Sequence, residues 1–128
     1  MTKQVACSQK AFDYFQKFAE SYLSNSFVEA NKWENTADAL LKANDRYAEI
    51  TSCYRELDEM RARTPQTPVL QENARLTLAA IQGLEKVASS YELLAEATLV
   101  QNNADIAKWG ELANKQQEEV WALFRKRN

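Results

Sequence analysis

Carboxylates are the most numerous side chains in this sequence that could do chemistry. The chain has 18 Asp and Glu residues, and several of them fall in two short segments, "ELDE" at 56–59 and "QQEE" at 116–119. A carboxyl group acts as a general acid near neutral pH only where an apolar pocket raises its pKa. Since each of these carboxylates can lie on the outer, solvated face of a helix, we predict no catalytic pair.

Histidine is missing from the sequence. Its absence removes Ser-His-Asp triads, Cys-His pairs and Glu-x-x-His di-iron bundles in their usual forms. The two cysteines, Cys7 and Cys53, do not form a C-x-x-C pair, and no glycine-rich phosphate loop occurs. We therefore predict that the protein is not an enzyme and that it has no cofactor and no metal site.

Composition also bears on compartment and partners. Two isolated cysteines in a chain of helix-forming residues are typical of reduced, cytoplasmic thiols. A formal net charge of −2 disfavours nucleic acid as a partner, and the basic residues of "FRKR" at 124–127 suit the negative end of a helix. The longest apolar runs are far shorter than the roughly 20 residues of a membrane span, and the first residues lack the apolar core of a secretory signal.

Helical periodicity begins near the start of the chain. The first helix is indicated by apolar residues at steps of 4, 3 and 4, which are Ala11, Phe15, Phe18 and Tyr22. Its expected start is Ser8 as the N-cap, or an earlier residue. Ser26 and Glu29 match a capping box, so a second helix is expected to begin at Phe27. The intervening loop is so short that the two helices must be antiparallel neighbours.

Two long helices form the middle of the chain. Apolar residues at alternating steps of 3 and 4 predict a second helix over 27–63 and a third over 68–101. The only two prolines, Pro65 and Pro68, lie between them. Pro68 fits the first position of the third helix behind Thr67 as its N-cap, because the missing N–H costs nothing there.

The helix lengths determine the expected architecture. At a rise of 1.5 Å per residue, the second and third helices are roughly 50–55 Å long and exceed the first and the fourth. We therefore predict a single helical domain over residues 1–128. It is an all-α, antiparallel up-down-up-down four-helix bundle in which the hairpin of residues 51–82 overhangs. An alternative interpretation breaks the second helix near Asn44 and Asp45 and gives a compact bundle.

Several side chains carry more specific expectations. Gly83, inside the third helix, predicts close approach by a bulky residue of a facing helix. Phe12 and Tyr14 cannot both face one core, so one of them is partly exposed. Most aromatic side chains have core spacing: Phe12, Phe15, Phe18, Tyr22, Trp33, Trp109 and Trp121. Polar seam residues either fix helix register or line a small-molecule pocket: Asn44, Thr51, Thr77, Thr98 and Gln116.

These observations predict a non-enzymatic protein-interaction module, in the manner of a chaperone, adaptor, inhibitor or immunity-type partner, that acts through apolar helical faces. The partner is another protein or a second copy of the chain. The alternative is a protein that binds a small apolar ligand or a lipid surface. Because two helices alone cannot bury a broad apolar stripe, the predicted interaction site lies on the hairpin: Tyr54, Leu57, Met60, Val69, Leu70, Leu76 and Leu78.

Overall fold

The computed structural model describes residues 2–128 and is an all-α four-helix bundle. Helices make up 88% of the chain, and the described residues contain no strand. The helices are α1 (Lys3–Leu23), α2 (Phe27–Ala62), α3 (Pro68–Leu99) and α4 (Asn103–Arg125). The predicted fold class is confirmed. Helix α2 runs without interruption through Asn44 and Asp45, so the alternative with a broken second helix is wrong.

The first helix begins earlier than Ser8. Thr2 is its N-cap, and the Thr2 hydroxyl accepts a hydrogen bond from the backbone N–H of Val5 at 3.2 Å. Ser8 lies inside α1, where its hydroxyl donates to Asn44 Oδ1 of α2 at 2.9 Å. The expectation of a cap at Ser8 is therefore wrong, because its hydroxyl bonds to a neighbouring helix.

Three other helix starts differ in how well local signals predicted them. Ser26 is the N-cap residue of α2, but its side chain makes no capping hydrogen bond, and Glu29 pairs with Lys32 at 3.1 Å instead. The capping box is therefore not formed. Thr67 and Asn102 do cap α3 and α4, because each side-chain oxygen accepts a backbone N–H three residues ahead at 3.1 Å.

The loops between helices are short and internally bonded. In the α2–α3 loop, the Gln66 amide donates to the carbonyls of Met60 at 3.0 Å and Arg63 at 2.6 Å, which satisfies the free end of α2. Asn25 and Gln101 have φ angles of 61° and 58°, and these left-handed residues end α1 and α3. Each loop reverses the chain, so successive helices are antiparallel.

Helices α1 and α4 lie on opposite faces of the α2–α3 hairpin. Helix α1 packs on α2 and α4 packs on α3, and within residues 2–128 α1 and α4 do not approach each other. Lys3 of α1 lies over the ring of Tyr47, at 5.8 Å from its centre, while Gln117 of α4 accepts a hydrogen bond from Arg46 at 2.8 Å. Since consecutive residues of a helix point about 100° apart, the two contacts approach α2 from different sides.

The hairpin overhangs α1, whereas α4 covers the other face almost to the loop. The N-terminus of α1 reaches only the level of Tyr47 on α2. On the opposite face, the residues after α4 extend to the first turns of α3. Asn128 exchanges two hydrogen bonds with the Asn73 side chain at 2.8 and 3.0 Å, and Arg127 contacts Glu56 at 2.6 Å. The uncovered part of the hairpin is therefore on the α1 face.

The core is built from small side chains around a few large ones. Alanines are fully buried on α2, α3 and α4, so the helices approach closely, and the largest fully buried apolar side chains are Ile81, Leu84, Val87 and Val120. Polar seam residues are satisfied within the bundle. Thr77 and Thr98 donate to carbonyls four residues earlier at 2.8 Å, and Gln116 accepts from the Ser90 hydroxyl at 2.7 Å. The bonds of Thr77 and Thr98 to these carbonyls lie within α3, whereas the bond between Ser90 and Gln116 links α3 to α4. A register role for the seam residues as a set stays a prediction.

Candidate protein-interaction surfaces

The predicted hairpin site is divided by the fold. Leu76 is only 3% exposed and Leu70 is also buried, while Leu57 packs against the core and Met60 is half-buried. Three members of the set remain at the surface, which are Tyr54, Val69 and Leu78. Leu70 and Leu76 are therefore core residues in this conformation. That the hairpin binds a partner stays a prediction, and in this structure only the exposed residues Tyr54, Val69 and Leu78 are available for such a contact.

Tyr54 and Leu78 share the uncovered α1 face of the hairpin. Tyr54 lies two helical turns beyond Tyr47, and Leu78 lies four turns before Glu92; both Tyr47 and Glu92 contact α1. A residue seven positions away lies on nearly the same face of a helix, so Tyr54 and Leu78 continue the groove that α1 occupies. They are 50% and 48% exposed. Val69 lies apart from them, in a cleft at the hairpin loop.

A larger apolar surface lies on α1 and the α1–α2 loop. Among the described residues, twelve large hydrophobic side chains are exposed, and six of these fall in residues 5–28. They are Val5, Phe12, Tyr22, Leu23, Phe27 and Val28, which we name the α1 surface. Phe12 is 63%, Leu23 81% and Val28 75% exposed. Within residues 2–128, this segment therefore holds the highest density of exposed large hydrophobic side chains.

Aromatic contacts order one end of the α1 surface. The Tyr22 ring lies 5.6 Å from the Phe27 ring in an edge-to-face arrangement and 6.1 Å from the Phe18 ring. Such pairs stabilise each other by about 0.5–1.5 kcal/mol beyond the area they bury. Because these rings bridge α1 and α2, the surface is held in place before any partner binds.

The aromatic residues were only partly predicted. Tyr14 stacks on Trp33 at 5.5 Å, and Phe12 is exposed, which confirms that the two residues face different environments. The expectation of core positions is wrong for Phe12, Tyr22 and Trp121, all of which are exposed. Core spacing shows which residues share a face but not how many neighbours cover it. Helix α1 packs mainly along α2, with a side-chain contact to α3 between Cys7 and Glu92, and this leaves its outer face uncovered.

The outward face of α1 contains a seam without charge. Six residues at steps of 4, 3, 4, 3 and 4 are all exposed, and we name them the uncharged seam: Val5, Gln9, Phe12, Gln16, Ala19 and Leu23. The charged residues of α1 lie off this seam: Lys3, Lys10, Asp13, Lys17 and Glu20. A solvent-facing stripe of a helix ordinarily carries charges. The sequence shows this spacing, but the adjacent stripe of Ala11, Phe15 and Phe18 is more apolar and gives the stronger helical signal.

A cleft between α1, α2 and α3 holds the buried thiol of Cys7. The cleft measures about 210 Å³ and is lined by Lys3, Ala6, Cys7, Lys10, Tyr14, Thr36, Leu40, Glu92, Ala95, Glu96 and Leu99. Cys7 Sγ donates to Glu92 Oε1 at 3.3 Å. Burial, this hydrogen bond and the charge of Glu92 raise the pKa of Cys7 to about 12. Burial and the same carboxylate raise the pKa of Tyr47.

The second thiol has a similar environment. Cys53 is a free, buried cysteine of α2, and burial raises its pKa as well. A thiol reacts as a nucleophile through its thiolate, so raised pKa values make both cysteines poor nucleophiles. Within residues 2–128, no three side chains among Cys, Asp and Glu converge on a position where a metal ion could bind. The same residues include no helix that is both long and apolar enough to span a bilayer.

Neither a protein-family model, nor a curated protein, nor a solved structure matches the chain.

Proposed function

We propose that the chain is a non-enzymatic protein-interaction module that binds a partner through the α1 surface. The observation that carries this proposal is the clustering of half of the exposed large hydrophobic side chains within residues 5–28. A chaperone, adaptor, inhibitor or immunity-type protein would bind its partner in this way. Two free, buried thiols support a cytoplasmic location as part of the proposal.

The size of the α1 surface fits a binding site. At roughly 150–200 Å² for each large side chain, the exposed fractions of the six residues amount to roughly 560–750 Å². The side chains are spread along α1 and the first turn of α2, and exposed apolar surface beyond about a few hundred Å² often belongs to an interaction site. Covering Phe12 or Leu23 completely contributes roughly 1.5–3 kcal/mol per side chain, which is enough to make either a dominant contact.

The buried groups give further support to a non-enzymatic role. Both thiols have pKa values raised away from the neutral range. The Glu56 carboxylate accepts a hydrogen bond from Arg127, and the Glu92 carboxylate accepts one from Cys7. The interior polar groups therefore hold helices together, and the surface is left to carry the function. The exposed pair Tyr54 and Leu78 is proposed as a second, smaller contact for a protein partner.

A site-specific cross-linking experiment tests the proposal. A photoreactive amino acid placed at Phe12 or at Leu23 should give discrete cross-linked protein species in an extract of the source cells. The matched control places it at Glu111, an exposed residue of α4. Species that form at Phe12 and Leu23 and are absent at Glu111 would support the proposal. Equal labelling at Glu111, or none at Phe12 and Leu23, would overturn it.

One observation favours a second candidate function. The cleft of about 210 Å³ beside Cys7 has Tyr14, Leu40 and Leu99 on its walls and could take a small apolar ligand. Native mass spectrometry of the purified protein tests this, because a bound ligand appears as a fixed added mass. Flotation with anionic phospholipid vesicles tests the lipid surface. Binding that is lost in Phe12→Glu would assign the α1 surface to lipid, whereas binding unchanged by that substitution would not.

A further inference from the structure

The uncharged seam has the spacing of a helix that packs against another helix. Alternating steps of 3 and 4 place Val5, Gln9, Phe12, Gln16, Ala19 and Leu23 along one narrow line of α1. All six are exposed, so no other element among residues 2–128 packs on this line. The element expected to pack against the uncharged seam is therefore a second α-helix.

The charges of α1 restrict what that second helix can be. The seam contains no charged residue, although α1 has five charged residues on its other faces. A partner helix selected by charge complementarity would need charged residues on the seam to pair with, and the seam has none. The facing helix must therefore present an equally uncharged, partly apolar line. The chain itself has such a line in α1, and its net charge of −2 causes little repulsion between copies.

We propose that two copies of the chain pair through the uncharged seam of α1, with the two α1 helices parallel. This inference rests on the proposed function and names the partner of the α1 surface as a second copy. In parallel register each residue faces its own counterpart across a two-fold axis. Phe12 packs on Phe12 of the second copy and Leu23 on its Leu23. Gln9 and Gln16 face identical amides, which carry both donors and acceptors and can bond to each other.

The distribution of apolar residues selects the parallel arrangement over the antiparallel one. Leu23, Phe27 and Val28 lie together at the C-terminal end of α1 and in the first turn of α2. Parallel pairing places the two apolar ends side by side and buries both. Antiparallel pairing would set each of them against Thr2 and Lys3 of the other copy, which are polar and exposed. It would also bring Asp13 close to its counterpart near the axis, and like charges facing each other across an interface are destabilising.

The surface available is sufficient for a reversible dimer. Standard interfaces bury about 800 Å² per partner, of which about 56–65% is apolar. Tyr22 points about 100° away from Leu23 and lies off the seam. The other five side chains of the α1 surface expose on the order of 500 Å², which is close to that apolar share. We therefore expect a reversible dimer that dissociates on dilution.

Sedimentation equilibrium tests whether the dimer exists and where it forms. The wild type should be dimeric at high concentration, and Phe12→Glu should raise the dimer dissociation constant at least about tenfold. Phe12 is 63% exposed, so the substitution leaves the core intact, and circular dichroism checks this. The matched control is Trp121→Glu on α4, which also removes an exposed aromatic residue but should leave the dissociation constant unchanged. A monomeric wild type, or an equal effect of Trp121→Glu, would overturn the inference.

Disulfide cross-linking tests the orientation. In a parallel pair, a cysteine in place of Gln9 faces the same cysteine of the second copy, so Gln9→Cys should form a covalent dimer on mild oxidation. Lys10→Cys is the control, because Lys10 is exposed and points away from the seam. Cys7 and Cys53 are buried and should not interfere. Equal cross-linking at both positions, or none at Gln9, would contradict parallel pairing. Discrete partner cross-links from a monomeric protein would leave the proposed function standing and exclude the second copy.

Discussion

Gly83 of α3 lies directly against Val120 of α4: a Cβ atom at Gly83 would be 2.7 Å from Val120 Cγ2. Val120 is fully buried and β-branched, so its side chain has little freedom to move away. This close approach confirms the expectation from the sequence that a bulky residue faces Gly83. The absence of a side chain at Gly83 is therefore what lets α3 and α4 pack at their present distance.

Gly83→Ala should destabilise the protein. Alanine improves helix propensity by about 1 kcal/mol, but overpacking against a rigid neighbour costs typically 1–3 kcal/mol. We expect a net loss of up to about 2 kcal/mol in the free energy of unfolding, measured by urea titration. The double variant Gly83→Ala with Val120→Ala should lose less than the sum of the two single variants, since the second change removes the clash. Strict additivity would contradict this account.

Gly110→Ala provides the matched control and should have the opposite sign. Gly110 lies inside α4, and a Cβ there would meet no atom within 4 Å. Only the propensity gain remains, so the free energy of unfolding should rise by about 0.5–1 kcal/mol. The measurement is the same urea titration. A loss of stability at Gly110 would mean that the space beside α4 is less open than it is here.

The part-buried hydrogen bond between Arg46 and Gln117 should contribute to the free energy of unfolding. Arg46 Nη1 donates to Gln117 Oε1 at 2.8 Å and links α2 to α4. Gln117→Leu leaves part of a mostly buried guanidinium without a partner, at a cost of roughly 1–3 kcal/mol. Arg46→Met together with Gln117→Leu should be less harmful than Gln117→Leu alone, because no unpaired donor remains. Thermal or urea unfolding of the single and double variants checks the order.

The sequence predicted features that depend on a few neighbouring residues better than features that depend on contacts between helices. Thr67, Pro68 and Gly83 were interpreted correctly because a cap, a proline and a mid-helix glycine act on their immediate surroundings. Ser8 was misread, since its hydroxyl partner Asn44 is on another helix. Periodicity shows which residues share a face but not how many neighbours cover it. It therefore could not indicate that Leu76 is buried.

The same limit applies to the binding surfaces. The sequence predicted that the hairpin overhangs, and it does so beyond α1. It could not predict that α1 and α4 take opposite faces, which leaves Leu78 exposed while Leu76 faces the core. It also gave no sign that α1 would pack mainly on α2, with a side-chain contact to α3 between Cys7 and Glu92. That arrangement is what exposes Phe12 and Leu23 and places the larger apolar surface away from the hairpin.

Stability should fall in alkaline solution because of Cys7. Its pKa is 9.0 in an unfolded chain and about 12 in the folded protein, chiefly through burial. A pKa raised on folding stabilises the folded state fully below pH 9.0, and that stabilisation is lost as the pH rises towards about 12. The urea midpoint should therefore drop as the pH rises from 9.0 towards about 12, and the drop should be smaller in Cys7→Ala. An identical drop in Cys7→Ala would assign it to other groups.

The two thiols should also be unreactive in the folded protein. Both are buried, and their raised pKa values keep the thiolate scarce near neutral pH. Ellman's reagent should label neither thiol in native buffer and both after unfolding without a reductant. Fast labelling of the native protein at Cys7 would show that α1 leaves α2 readily. Labelling of fewer than two thiols after unfolding would indicate a disulfide.

Charge substitutions on the hairpin should separate its surface residues from its core residues. Leu78→Glu changes a 48% exposed side chain and should alter the free energy of unfolding by no more than about 0.5 kcal/mol. Leu76→Glu buries a carboxylate at a position only 3% exposed and should unfold the protein or cost several kcal/mol. Leu57→Glu should also be costly, because Leu57 packs against the core. A loss of partner binding in that variant would therefore not identify a contact.

Leu78→Glu combined with Tyr54→Glu is the proper test of the hairpin surface, since both side chains are exposed and share one face. Circular dichroism should show an unchanged fold, and any loss of binding then belongs to the surface itself. If Leu78→Glu unfolds the protein while Leu76→Glu is tolerated, the register of α3 against its neighbours is different from the one described.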